Sequence, residues 1–112
     1  MADPKTKLPG GVTQAQLDKW KKEHGEVKEV EVPLDDTGKN TVTCFVKKPN
    51  IDILGAAAAV AETDPMKSGL ILFDNCYLGG DPETKGNEEV KMSVIVALKS
   101  MFRVRVATIK NV

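Results

Sequence analysis

The sequence predicts an α+β fold: a small, mostly helical domain of about four helices with an N-terminal β-hairpin. Three observations predict it. Two valine-rich alternating runs, 26–32 and 41–47, flank the turn cluster DDTGKN, as a hairpin with a long loop does. The stretch DPMKSGLILFDNCYLGG, 64–80, opens on a capping carboxylate plus proline and closes on two glycines, the signals that start and stop a helix. Val90, Val94, Ala97, Leu98 and Met101 recur at i, i+4, i+7, i+8 and i+11, the stripe of an amphipathic helix. A short C-terminal strand over 103–112 is one reading of RVRVATIKNV, where Val104, Val106 and Thr108 alternate with Arg103, Arg105 and Ala107. A continued helix is the other reading.

Residues 1–12 carry Pro4, Pro9 and Gly10-Gly11 and read as a flexible N-terminal tail. Residues 13–112 form a single globular domain on this reading. Thr13 with Gln16 makes a capping box, and Gly25 stands where a terminal glycine belongs, so a first helix spans the interval. Leu17, Trp20 and His24 share one face of it, and so narrow a stripe packs at an edge.

In the hairpin, Val30 and Val32 share a face of the first strand, and Pro33 confines that strand to an edge or an end. In the second strand, Val42, Cys44 and Val46 share one face and Phe45 takes the other. Lys48-Pro49 ends it. Asn50 caps a second helix through GAAAAVAE, with Asp52 near the positive end of its dipole. Ile51, Leu54, Ala58 and Ala61 are its expected contact stripe. A very short link leads to the third helix, which favours antiparallel neighbours. Leu70, Phe73 and Tyr77 fall on one face there, and Ile71, Leu72, Cys76 and Leu78 widen it, so this helix is expected at the centre of the core. DPETKGN, 81–87, reads as a polar loop, and Asn87 caps the last helix with Glu88 and Glu89 in its first turn.

A chain of 112 residues supports one hydrophobic core. Its 16 basic and 16 acidic residues balance, so the cationic surface of a non-specific nucleic-acid binder is absent overall. Aromatic residues are few, Trp20, Phe45, Phe73, Tyr77 and Phe102, which argues against a base-stacking platform. The expectation is therefore no nucleic-acid partner. No apolar run reaches membrane-spanning length, and the first residues lack the apolar middle of a secretory signal. A cytoplasmic protein without membrane contact is expected.

The residues present no reactive constellation, and no catalytic, cofactor or metal site is expected. Cys44 and Cys76 read as small buried hydrophobes. A nucleophilic Cys76 would need His24 as base, with Asp74 or Asn75 as orienter. Those two precede Cys76 directly on a helix, where immediate neighbours do not face one another. His24, in the last turn before a glycine, suits the carbonyl end of its helix instead. Asp35-Asp36 is explained by turn chemistry, and Gly79-Gly80 closes a helix rather than opening one around a phosphate.

LDKWKKEHG, a valine-rich hairpin, FVKKPNIDILGAAAAVAETDP, LFDNCYLGGD and the closing MFRVRVATIKNV resemble the small tail assembly chaperones and related uncharacterised proteins of tailed phages and prophages. The resemblance spans about residues 14–112. It rests on a short hairpin leading into an alanine-rich helix and on a helix ending in C-hydrophobic-x-G. It implies a non-enzymatic protein that binds the tape-measure or tail-tube protein during virion assembly, with a small virion structural subunit of tail or head completion as the alternative. A homo-oligomer is compatible with it. Contact would fall on large apolar side chains the core leaves open, with Trp20, Tyr77 and Phe102 as candidate anchors. The plain reading is that all three belong to the core.

Overall fold

A computed structural model describes residues 7–101 and 107–112. The chain is α+β. Among the described residues it holds a 3-10 turn (Pro9–Gly11), helices α1 (Gln14–His24), α2 (Ile51–Ala61), α3 (Pro65–Cys76), α4 (Glu83–Gly86) and α5 (Glu88–Ser100), and strands β1 (Val27–Pro33), β2 (Thr41–Lys47) and β3 (Tyr77–Gly80). The strands form one antiparallel sheet in the order β1-β2-β3.

Local chemistry sets most boundaries. The Thr13 hydroxyl accepts the Gln16 N–H, and Gly25, at φ 77°, donates its N–H to the Lys21 carbonyl. Asn50, Asp64 and Asn87 cap α2, α3 and α5 through their side chains, each meeting amide donors that a helix start leaves open. In the hairpin loop, Asp35 accepts from the Thr37 N–H and hydroxyl and from the Asn40 side-chain amide. The Thr37 hydroxyl, first among these, holds the exposed Asp35 carboxyl below the ordinary carboxylate range.

Three expectations are corrected. The third helix does not reach Gly79-Gly80: it ends at Cys76, and Tyr77–Gly80 continues as a strand. The glycines that read as a helix stop serve a close backbone approach, since a Cβ on Gly80 would lie 2.4 Å from both the Cys44 Cα and the Thr43 carbonyl oxygen. Tyr77 therefore leaves the helical face of Leu70 and Phe73, though its ring still stacks on Phe73, with centroids 4.9 Å apart. The contact stripe of α2 is turned by one residue from the expected one. Ala57 is buried while Ile51 and Ala58 are exposed, because α3 meets α2 at Ser68, whose hydroxyl donates to the Ala57 carbonyl at 2.7 Å. The polar loop 81–87 contains the single turn α4, with Thr84 wholly buried.

The third strand thus precedes α4. Residues 103–106 of the expected C-terminal strand lie outside the described residues, and 107–112 have no regular secondary structure. Residues 1–6 of the expected tail also lie outside them. From residue 7 the same segment packs on the sheet, with Val12 buried and Lys7 bridged to Thr13.

Both faces of the sheet are covered. Val32, Val42, Cys44 and Val46 join Ala57, Leu72, Phe73, Cys76, Val90, Val94, Ile95 and Leu98 in the main core. The opposite face carries a smaller cluster of Val12, Trp20 and Phe45, flanked by Leu8, Leu17, Val27 and Leu78. α1 and the 3-10 turn make that second layer.

Candidate functional site

The second sheet face is where this fold departs from a simple helix-backed sheet. Along β1 and β2 the cross-strand pairs on it are Val27 with Lys47, Glu29 with Phe45, and Glu31 with Thr43. Alternation puts these side chains opposite the main core. Phe45 is the aromatic of the central strand. Its ring tilts against Trp20 at 6.0 Å between centroids, and only 4 % of the residue stays exposed.

Beside Phe45 a cleft of ≈ 380 Å³ opens between α1, the N-terminal segment and β1. Leu8, Pro9, Leu17 and Val27 give it apolar walls, and Lys21 and Glu29 bring one charge of each sign. Lys47, two residues after Phe45, stands half-buried on the same face. An apolar floor with a cation at its rim, Lys21, can take a flat apolar group attached to an anion.

The residues singled out from the sequence scatter. Trp20 is 8 % exposed and forms the lid over Phe45 rather than an outward anchor. Tyr77 is half-buried on the main-core side of the sheet, and its hydroxyl meets the Thr84 hydroxyl at 2.9 Å. Phe102 lies outside the described residues. His24 sits on α1, over one sheet face, while Cys76 is sealed in the main core on the other, so the two do not meet. Burial pushes the Cys76 thiol up, with Lys47 pulling it partly back. Burial likewise pushes Cys44 up to about 11, against a partial pull from the Thr84 hydrogen bond. Neither thiol is set up as a nucleophile. Among the described residues no cluster of His, Cys, Asp or Glu could hold a metal ion, and no helix is long and apolar enough to cross a membrane.

The segment that builds this face also decides the family. The family model for the RNA recognition motif matches residues 6–67, just over half of the 112 residues. The chain belongs to the RNA recognition motif family. The matched span takes in α1, β1, β2 and α2. In solved structures the chain is similar to an uncharacterised protein from Bacillus stearothermophilus, at 15 % identity and a TM-score of 0.51, covering 85 % of this chain and 99 % of that one. That likeness concerns the fold alone. No curated protein matches the chain.

Membership overturns the resemblance to phage tail assembly chaperones, and with it the tape-measure or tail-tube partner and the virion-subunit alternative. That resemblance rested on short apolar stretches, which recur wherever helices pack, whereas the family match is read across a continuous half of the chain. It also overturns the expectation of no nucleic-acid partner. Net charge and aromatic count average over the molecule and do not register which side chains share a face. RNA recognition motifs are typically binding modules rather than catalysts.

This RNA recognition motif departs from its family in two respects. The family sheet has four strands, with aromatics on which bases stack; here three strands are described. The family's central-strand signature runs K/R-G-F/Y-G/A-F-V-x-F/Y. With Phe45-Val46 laid on its F-V step, Thr43 stands at the first aromatic, Cys44 at the small residue and Lys48 at the last aromatic. One aromatic of three is kept. Phe45 was legible from sequence as the odd residue on its strand face, but without a partner on that face it drew no functional reading.

Proposed function

We propose that this chain is a non-catalytic, single-stranded RNA-binding module that uses the cleft beside Phe45. The observation that carries the reading is the family match over residues 6–67. The cleft supports it: its apolar walls offer a surface for a base edge, Lys21 lines it, and Lys47, the cross-strand partner of Val27 in its wall, is a second cation for phosphate. With one aromatic in place of three, and that one beneath Trp20, binding is weak and short in footprint. A cytoplasmic location belongs to this reading.

The test is fluorescence anisotropy with short labelled RNA of mixed sequence across a salt series. Two phosphate contacts give a salt slope of about −1.4, so affinity falls about sevenfold for a fourfold rise in salt. Lys21→Glu with Lys47→Glu should abolish binding while the circular dichroism spectrum is retained. Phe45→Leu, which keeps the floor apolar but changes its shape beneath Trp20, should weaken binding by less than the paired lysine changes. A folded wild-type chain indifferent to RNA at low salt would sink the reading.

A second reading is favoured by one observation. Glu29 and Glu31 share the face with Phe45, and carboxylates repel phosphate. The same cleft would then hold a protein segment carrying a cation. Glu29→Lys distinguishes the two: it strengthens RNA binding on the first reading and removes a partner contact on the second.

A further inference from the structure

α3 and α5 lie side by side and run in opposite directions. Gly69 of α3 stands against Ile95 of α5, and one turn further along α3 the Lys91 ammonium lies over the Phe73 ring at 4.7 Å. These two contacts set Leu70 level with Val94. The outer surface of the pair holds a groove of ≈ 320 Å³, with Met66 and Leu70 on one wall and Met92 and Ile95 on the other. Met66 is 52 % exposed, Met92 39 % and, one turn beyond it, Val96 62 %. Large apolar groups gathered on the outside of a helical layer mark a contact surface.

The charges around the groove are sorted by end. On α5, Glu88, Met92, Val96 and Lys99 recur at i, i+4, i+8 and i+11 and are all exposed, so they share one face. That face is acidic where α5 starts and basic where it finishes. α3 carries the reverse, with exposed Lys67 near its start and exposed Asp74 near its finish. Because the two helices are antiparallel, both cations fall at one end of the face and both carboxylates at the other, with the apolar groups between. Lys91, near the acidic end, is turned inward onto Phe73.

We propose that this α3–α5 face is the interface of a homodimer, two copies meeting about a two-fold axis that crosses the helices at the level of Leu70 and Val94. Rotation about that axis lays α5 antiparallel on α5 of the second copy. Glu88 then meets Lys99 of the second copy, and Met92 meets its Val96. On α3 the same rotation brings Lys67 to Asp74 of the second copy. One axis serves both helices because both pairings are centred on the same level. A copy turned the other way, with like helix ends together, would set cation on cation and carboxylate on carboxylate, so the sorting of charge selects one arrangement. The match of the face to itself, end for end, is what makes a second copy the occupant, and the contact is isologous. α3 and α5 have 12 and 13 residues, which makes each about 18–20 Å long. A face of that size buries less than about 1,200 Å² in total, so the dimer is a weak one. It backs the main core, across the sheet from the cleft beside Phe45, and does not depend on RNA binding.

Sedimentation equilibrium of the full chain at low salt should show a concentration-dependent dimer that weakens as salt rises. Met92→Glu, a change on the exposed face, should leave a monomer with the wild-type circular dichroism spectrum. Glu88→Lys or Lys99→Glu alone should weaken dimerisation about tenfold, since the two-fold repeats each charge pair. The two together should recover most of the loss. Lys67→Glu with Asp74→Lys repeats the exchange on α3. A monomer at every concentration, a dimer indifferent to Met92→Glu, or a double charge exchange no tighter than its single components overturns the proposal.

Discussion

Trp20 occupies the space that a side chain at position 79 would need. A Cβ on Gly79 would lie 2.9 Å from Cη2 and 3.1 Å from Cζ2 of the indole. α1 therefore seats its one buried residue on bare backbone of β3. Gly79→Ala is expected to lower the unfolding free energy by about 1–3 kcal/mol, the usual cost of overpacking. In a Trp20→Phe background, where the outer ring is gone, the same change should cost less than about 1 kcal/mol. Urea unfolding followed by circular dichroism compares the four proteins; additive costs would show that the indole is not the obstacle.

A second close approach joins α3 to α5. A Cβ on Gly69 would stand 2.8 Å from Cγ2 of Ile95, and both residues are buried. Alanine in place of glycine gains up to about 1 kcal/mol of helix propensity, but the clash outweighs it, so Gly69→Ala should destabilise by about 1–2 kcal/mol net. Combined with Ile95→Ala, which vacates the space, the Gly69 change should become neutral or stabilising. Thermal unfolding of the single and double variants measures the sign change.

Thr84, wholly buried, links three elements. Its hydroxyl donates to the Asp81 carbonyl at 2.6 Å, leaving the Tyr77 hydroxyl to donate to Thr84 at 2.9 Å. Tyr77→Phe removes one bond and should cost about 0.5–1.5 kcal/mol. Thr84→Val strands both partners and should cost more, about 1–3 kcal/mol. If both variants unfold at the wild-type denaturant concentration, the hydroxyl pair contributes nothing.

Stability should decline in alkali. Burial raises the folded-state pKa of Cys44 to about 11 from an ordinary 9.0 and moves Cys76 and Tyr77 the same way. A raised folded pKa means that the fold favours the neutral form. The contribution is then complete below the unfolded value and disappears as pH climbs through the folded one. Between pH 9.0 and about 11, Cys44 alone should forfeit on the order of 2 kcal/mol. Cys44→Ala, whatever it costs in packing at neutral pH, should flatten that slope. A thiol reagent should find neither cysteine until the chain unfolds.

The sequence announces its helix starts because capping is local: Thr13, Asn50, Asp64 and Asn87 each act within three residues of themselves. The end of α3 is not local. Gly79-Gly80 has the composition of a helix stop, and its actual conformation depends on β2, some thirty-five residues earlier, offering Phe45 and Cys44 as ladder partners. The register of α2 is hidden for a similar reason, since an alanine-rich helix has no strongly preferred face until Ser68 selects the Ala57 carbonyl. The candidate site was the least legible part. Phe45 gains meaning only when α1 folds across the sheet and brings Lys21 and Leu17 beside it.

β2 meets a core on each side, with Val42, Cys44 and Val46 facing one and Phe45, among Thr41, Thr43 and Lys47, facing the other. A strand with one wet face sets its own alignment, because a one-residue slide would turn greasy groups to water. In β2 that penalty is softened at Phe45, the one apolar residue on its other face. Its alignment is held further by Asp81, whose carboxylate accepts the Thr43 N–H at 2.9 Å while its own N–H binds the Thr43 carbonyl at 2.8 Å. One aspartate thus works as a ratchet pawl on a rail that could otherwise slip. Losing it would yield a chain that keeps its helices but samples shifted sheets.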